Sequence, residues 1–176
     1  MRSIVLLTRS LQNAEPSKRG LITRGIVAAS FLSHDVRRDV DVYLVTTDNL
    51  VLHFDTRKMR NIRPDEQSLW GVLRKSLKKP PGRSVMIGVK RLSIEPLKAL
   101  RSIARGATVM IYDPLRRFEP VQQTREIIAV FPMDVKAWKA AEMCQSAGVK
   151  VKLFNHSPIP LLPDQAIAAL NILLDS

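Results

Sequence analysis

The order of the apolar segments constrains this chain more than any other feature. In its second half, short β-rich runs at 85–89, 108–112, 127–131 and 149–154 alternate with helix-length amphipathic runs at 93–105, 134–147 and 163–174. A helix between two strands carries the chain back across the sheet, so the strands it joins run parallel. The first half supplies a strand at 3–7, an apolar helix at 19–33 and a strand at 40–46. The turn Thr47-Asp48-Asn49 then leads into another strand at 50–54. The expected fold class is α/β, a mostly parallel sheet with helices on both faces. The 176 residues suit one domain, 1–176.

Local signals set the helix ends. Gly106 closes the helix at 93–105, and Asp134 and Gly148 read as cap and stop of the next one. Pro64-Asp65-Glu66 starts a further helix, with proline in the first turn and acids at the positive end of the dipole. It runs to about Lys79, because Pro80 cannot continue it. Leu69, Val72, Leu73 and Leu77 share one face of this helix, and Arg74, Lys75, Lys78 and Lys79 share the other. The last helix is apolar almost all round, so it must be enclosed by the fold, by a second subunit, or by both. The expectation is both.

Charge points to the partner. Lys and Arg number 28 against 16 Asp and Glu, a net +12. Eleven of the basic residues fall between Arg57 and Arg91, opposed only by Asp65 and Glu66. Such a concentration fits a polyanion, since each phosphate neutralised releases condensed counterions. A solvated face carrying charge for solubility is the plainer alternative. No apolar run is long enough to span a bilayer, and residues 4–7 read as a first strand, not a leader. One cysteine, Cys144, forms no internal disulfide and no metal cluster, which suits the cytoplasm.

At residues 31–40 the sequence reads Phe-Leu-Ser-His-Asp-Val-Arg-Arg-Asp-Val. This string resembles the archaeal tRNA pseudouridine-54 N1-methyltransferases, a branch of the SPOUT superfamily. Three weaker stretches match in order: Arg63-Pro64-Asp65-Glu66-Gln67-Ser68, Lys90-Arg91-Leu92, and Ser157-Pro158-Ile159 before the apolar last helix. The resemblance implies a SPOUT fold whose C-terminal segment threads a trefoil knot. It also implies S-adenosylmethionine held in that knot, an RNA partner (tRNA or rRNA), and a homodimer through the C-terminal helix. The cofactor positions it marks are Phe131, Pro132, Met133, Ile159, Leu161 and Leu162.

The chain departs from that family at those loops. Where the family has a glycine-bearing loop, residues 130–136 read Val-Phe-Pro-Met-Asp-Val-Lys, with no glycine. Glycine permits close backbone approach and positive φ, while proline removes a donor. The closing loop reads Leu161-Leu162-Pro163-Asp164-Gln165-Ala166, and the start of the first helix, Ser17-Lys18-Arg19-Gly20, lacks the family's acid.

The RNA-binding candidates are Arg24, Arg37, Arg38, Arg74, Lys75, Lys78, Lys79 and Arg83. Arg24 stands alone in an apolar helix and reads either as an RNA contact, matching a family arginine, or as the partner of Asp35 or Asp39. Arg37 and Arg38 at a helix end suit bidentate phosphate contact or interaction with the helix dipole. Asp35 and Asp39 read as groups that fix these arginines more than as a base. The three histidines are too scattered for a metal site, and His156 reads as a satisfied surface residue. Trp70 and Trp138 read as packing, and Cys144 as a small core residue.

Two functions follow. The preferred one is an RNA-binding SPOUT-fold protein with a degenerate S-adenosylmethionine site, a component of a ribonucleoprotein such as the ribosome. The alternative is an active S-adenosylmethionine-dependent tRNA or rRNA methyltransferase of the pseudouridine N1 type. A DNA-binding module lacks any recognition-helix motif.

Overall fold

The computed structural model describes residues 1–122, 124 and 126–176. The elements in chain order are β1 (Arg2–Thr8), α1 (Pro16–Ser30), β2 (Val40–Thr46), β3 (Val51–Asp55), α2 (Glu66–Lys78), β4 (Ser84–Met86), β5 (Val89–Arg91) and α3 (Pro96–Ala104). They continue with β6 (Val109–Tyr112), β7 (Ile127–Pro132), α4 (Ala137–Ser146), β8 (Val151–Phe154) and α5 (Pro163–Asp175). The strands form one sheet in the order β4-β5-β3-β2-β1-β7-β6-β8. β2, β1, β7, β6 and β8 run parallel. β3, β5 and β4 join antiparallel at one side. The α/β architecture and mostly parallel sheet expected from the sequence are present.

β1 lies at the centre, and its alternation divides the core. Ile4 and Leu6 face a layer built by α1, α2 and α5, while Val5 and Leu7 face α3 and α4. All four are fully buried. A strand apolar on both faces is what a sheet covered on both sides requires. α1 approaches closely at Gly25, where an added Cβ would come within 2.7 Å of both Leu6 and Met133. α2 buries Leu69 and Leu73, worth about 2 kcal/mol each. Asp65 caps it, accepting from the Ser68 amide at 2.8 Å.

Several boundaries differ from the sequence reading. α1 stops at Ser30, because residues 31–37 make a tight turn: Phe31 bridges Val36, and the Arg37 amide donates to Ser30. The run at 85–89 is two strands, β4 and β5, turned at Ile87-Gly88 with Gly88 at φ +83°. Pro64 precedes the cap of α2 instead of sitting in its first turn. Asp134 does not cap α4, which begins at Ala137. It accepts from the Thr8 hydroxyl at 2.8 Å and the Arg9 amide at 2.9 Å, fastening the end of β1. α5 is covered on one side only, burying Ala166, Ile167 and Leu170 while Ile172 and Leu173 stay exposed.

Candidate nucleic-acid interface

Strand direction sorts the loops onto two ends of the sheet. The connections leaving β1, β7, β6 and β8 emerge at one end, the carboxyl end of the parallel set. β3 reverses relative to β2, β5 reverses again, and β4 opposes β5. The start of β4 therefore lies at the carboxyl end too, and with it the segment from α2 that carries Lys78, Lys79 and Arg83. The segments after β3 and before β2 lie at the amino end. The basic stretch from Arg57 to Arg91 is thus not one patch.

Its members also differ in what they touch. Arg57 pairs with Asp55 at 3.0 Å and Asp41 at 3.3 Å, and Lys58 pairs with Asp55 at 3.3 Å. Arg91 donates to the carbonyls of Lys79, Ser76 and Leu77, closing the carboxyl terminus of α2. Arg74, Lys75, Lys78, Lys79, Arg83 and Lys90 have no acid within ion-pair distance among the described residues, and all but the half-buried Lys79 are exposed. The amphipathic reading of α2 therefore places Arg74, Lys75 and Lys78 in solvent.

The other expected RNA contacts are occupied. Arg37 is only 8% exposed and donates to Asp175 at 2.8 Å, while Asp175 also binds Arg2 at 2.7 Å. Partial burial pulls the Asp175 carboxyl upward, but hydrogen bonds from Arg37 and Arg2 outweigh it and hold the group below the ordinary carboxylate value. Arg38 is more open and donates to the carbonyls of Thr56 and Arg57, with Asp35 at 3.6 Å. Arg24 is not buried. It pairs at 2.9 Å with Asp164 of α5, not with Asp35 or Asp39. The two line a groove of about 310 Å³ between α1, α5 and the start of α2.

The six cofactor positions sit at the carboxyl end, and their groups are largely consumed. Phe131 is fully buried against Tyr112 and Phe154, and Met133 is 6% exposed. Pro132 ends β7, and the Met133 amide donates to Leu7. The Tyr112 hydroxyl donates to the Leu161 carbonyl at 2.8 Å and stands 3.3 Å from the Leu161 amide. The amides of Ser157, Ile159 and Leu162 donate to Asn155, Ser157 and Gln165 side chains. Ile159 and Leu162 expose their side chains.

His156 is buried, not at the surface. Its Nε2 donates to the Ala166 carbonyl at 2.8 Å, and burial lowers its pKa against that hydrogen bond. Burial likewise pushes the Cys144 thiol up to about 11, as a small core residue requires. Trp70 packs beneath the Arg19 guanidinium, 4.9 Å from its ring centre. Trp138 is 63% exposed, so it does not pack as expected.

The sequence reading passed over the loop after β6. Leu115, Arg116, Arg117 and Phe118 are all exposed, Leu115 at 92%. The available signal was the basic pair flanked by large apolar residues, in a stretch assigned to no element.

No protein-family model matches the chain. It is 29% identical over 168 aligned residues to a tRNA (pseudouridine(54)-N(1))-methyltransferase of Haloferax volcanii, covering 89% of this chain and 82% of that protein. The protein of the same name from Haloarcula marismortui is 28% identical with the same coverage. In structure, the chain superposes on Archaeoglobus fulgidus Nep1, crystallised with S-adenosylhomocysteine, at a TM-score of 0.69. That match covers 99% of this chain and 97% of Nep1, at 10% identity. The chain therefore has the SPOUT-type α/β fold of Nep1 and resembles the tRNA (pseudouridine(54)-N(1))-methyltransferases over most of its length.

Proposed function

We propose that this protein binds RNA with the carboxyl end of its sheet and no longer uses S-adenosylmethionine, serving in the cytoplasm as a component of a ribonucleoprotein such as the ribosome. The observation that carries the reading is the pairing of two conditions at one end of the fold. Exposed cations without acidic partners among the described residues stand beside loops whose backbone donors are already spent on the protein itself. A cofactor bound largely by backbone groups needs free amides. Those of Met133, Ser157, Ile159, Leu161 and Leu162 are engaged. The bulk of Phe131 and Met133 fills the core where a glycine loop would leave room. The residues present do not fit the cofactor. The C-terminal knot and a homodimer through the exposed Ile172 and Leu173 side of α5 belong to the same proposal.

Calorimetric titration with S-adenosylmethionine, beside RNA binding by the same preparation, tests it. The expected result is no cofactor heat and salt-sensitive RNA binding. One-site binding at micromolar affinity would overturn the degenerate-site reading. An active tRNA methyltransferase is the second reading, favoured by the resemblance across 89% of the chain to proteins of that name.

A further inference from the structure

The loop after β6 is built unlike a simple connection. The Asp113 amide donates to Phe154, and the amides of Leu115 and Arg116 turn back onto Asp113. Buried Asn155 then holds both sides: its side chain donates to the Arg116 carbonyl at 3.0 Å, and its own carbonyl accepts from the Glu119 amide at 2.9 Å. Between these anchors Leu115 is 92% exposed and Phe118 45% exposed. Neither Arg116 nor Arg117 has an acid within ion-pair distance among the described residues. A fixed loop that presents two free guanidinium groups and an aromatic ring has already met most of the ordering cost of binding. Trp138, 63% exposed, stands in the first turn of α4, just past the same end of the neighbouring strand β7.

We infer that Arg116, Arg117, Phe118 and Trp138 form a platform for unpaired RNA nucleotides, the arginines taking phosphates and the two rings taking base faces. The inference rests on the RNA-binding reading and adds where unpaired nucleotides lie. Exposed rings select unpaired bases, because a duplex hides its base faces. Guanidinium groups hold phosphate bidentately, so the loop grips backbone and base together. β5 and β6 stand five places apart in the sheet, a spacing of about 24 Å between the two strands. One RNA can reach both.

Fluorescence anisotropy with a short unpaired RNA and a blunt duplex of equal length tests the assignment. Phe118→Ala and Trp138→Ala should each weaken binding of the unpaired probe about tenfold, with the salt slope unchanged. Arg116→Ala with Arg117→Ala should weaken it and reduce the slope of log affinity against log salt by about 1.4. Equal losses on the duplex, or all variants within about twofold of wild type, would overturn the platform. If the Lys75, Lys78 and Lys79→Glu triple variant still weakens RNA binding in that case, the RNA-binding reading survives and only the platform falls. A wild-type protein that binds neither probe sinks both.

Discussion

The amino end of the sheet gathers most of the acid-bound arginines, beside exposed ones such as Arg60, Arg63 and Arg105, and the carboxyl end carries cations that no acid holds among the described residues. At the amino end, Arg2 and Arg37 share Asp175, Arg57 and Lys58 share Asp55, and Arg57 also reaches Asp41. Asp41 also meets His53 at 2.8 Å, and His53 stacks on Tyr43 with ring centres 4.6 Å apart. At the carboxyl end, Lys78, Arg83, Arg116 and Arg117 project into solvent without acidic partners among the described residues. Net charge cannot distinguish these cases. A cation whose hydrogen bonds are met by an acid of the fold is committed to that acid, and removing either partner costs stability. One left unpaired raises the local potential and is free to meet a phosphate. The difference separates structural cations from recognition cations.

The sharpest test of that contrast is charge reversal at the carboxyl end. Lys75, Lys78 and Lys79→Glu should weaken RNA binding on the order of a hundredfold near physiological salt. The urea midpoint should fall only modestly, because three acids at the carboxyl end of α2 oppose its dipole while no ion pair is lost. Next comes Arg37→Ala at the amino end. It should cost about 2 kcal/mol in urea unfolding, as expected for losing a hydrogen bond to a charged group, with RNA affinity nearly unchanged. Lost RNA affinity at full stability would invert the contrast.

Two pH effects follow, each smaller. The carboxyls of Asp175 and Asp55 lie below their ordinary value, in both cases because hydrogen bonds from basic partners outweigh an upward pull from partial burial. Their contribution is full above the unfolded carboxylate value of about 3.9 and is lost as pH falls through the folded value. Asp175→Asn should therefore flatten part of the acid limb below about pH 4 in a stability titration. At the carboxyl end, burial lowers the pKa of His156. Stability tied to its neutral form is present above about pH 6.5 and declines on acidification through the folded value. His156→Gln should remove that decline. If it persists in the variant, some other group is its source.

The layout of strands and helices was legible because it rests on periodicity. Buried strands read as apolar runs, and α2 carries apolar residues on one face and cations on the other. Boundaries that depended on local competition were less legible. Asp134 looks like a cap from its neighbours in sequence, yet Thr8 and Arg9, 125 residues and more away, take its carboxylate. Arg24 found Asp164 across the α1–α5 contact, a pairing that no local window contains. The division of the basic stretch between two ends depended on the reversals at β3, β5 and β4, which charge counting does not register. The Leu115 to Phe118 loop was visible as letters, but its exposure is set by Asn155, from a different part of the chain.

The central place of β1 has a consequence in time. β1 pairs on one side with β2 and on the other with β7, with Arg2 opposite Ile127. During synthesis at roughly 5–20 residues per second, that second edge waits about 6–25 s for its partner strand. Through that interval Ile4, Val5, Leu6 and Leu7 offer an open, wholly apolar strand edge, the kind that templates aggregation. The nascent chain is thus more vulnerable than the finished protein, and chaperone supply during translation should govern its yield more than the stability of its folded form.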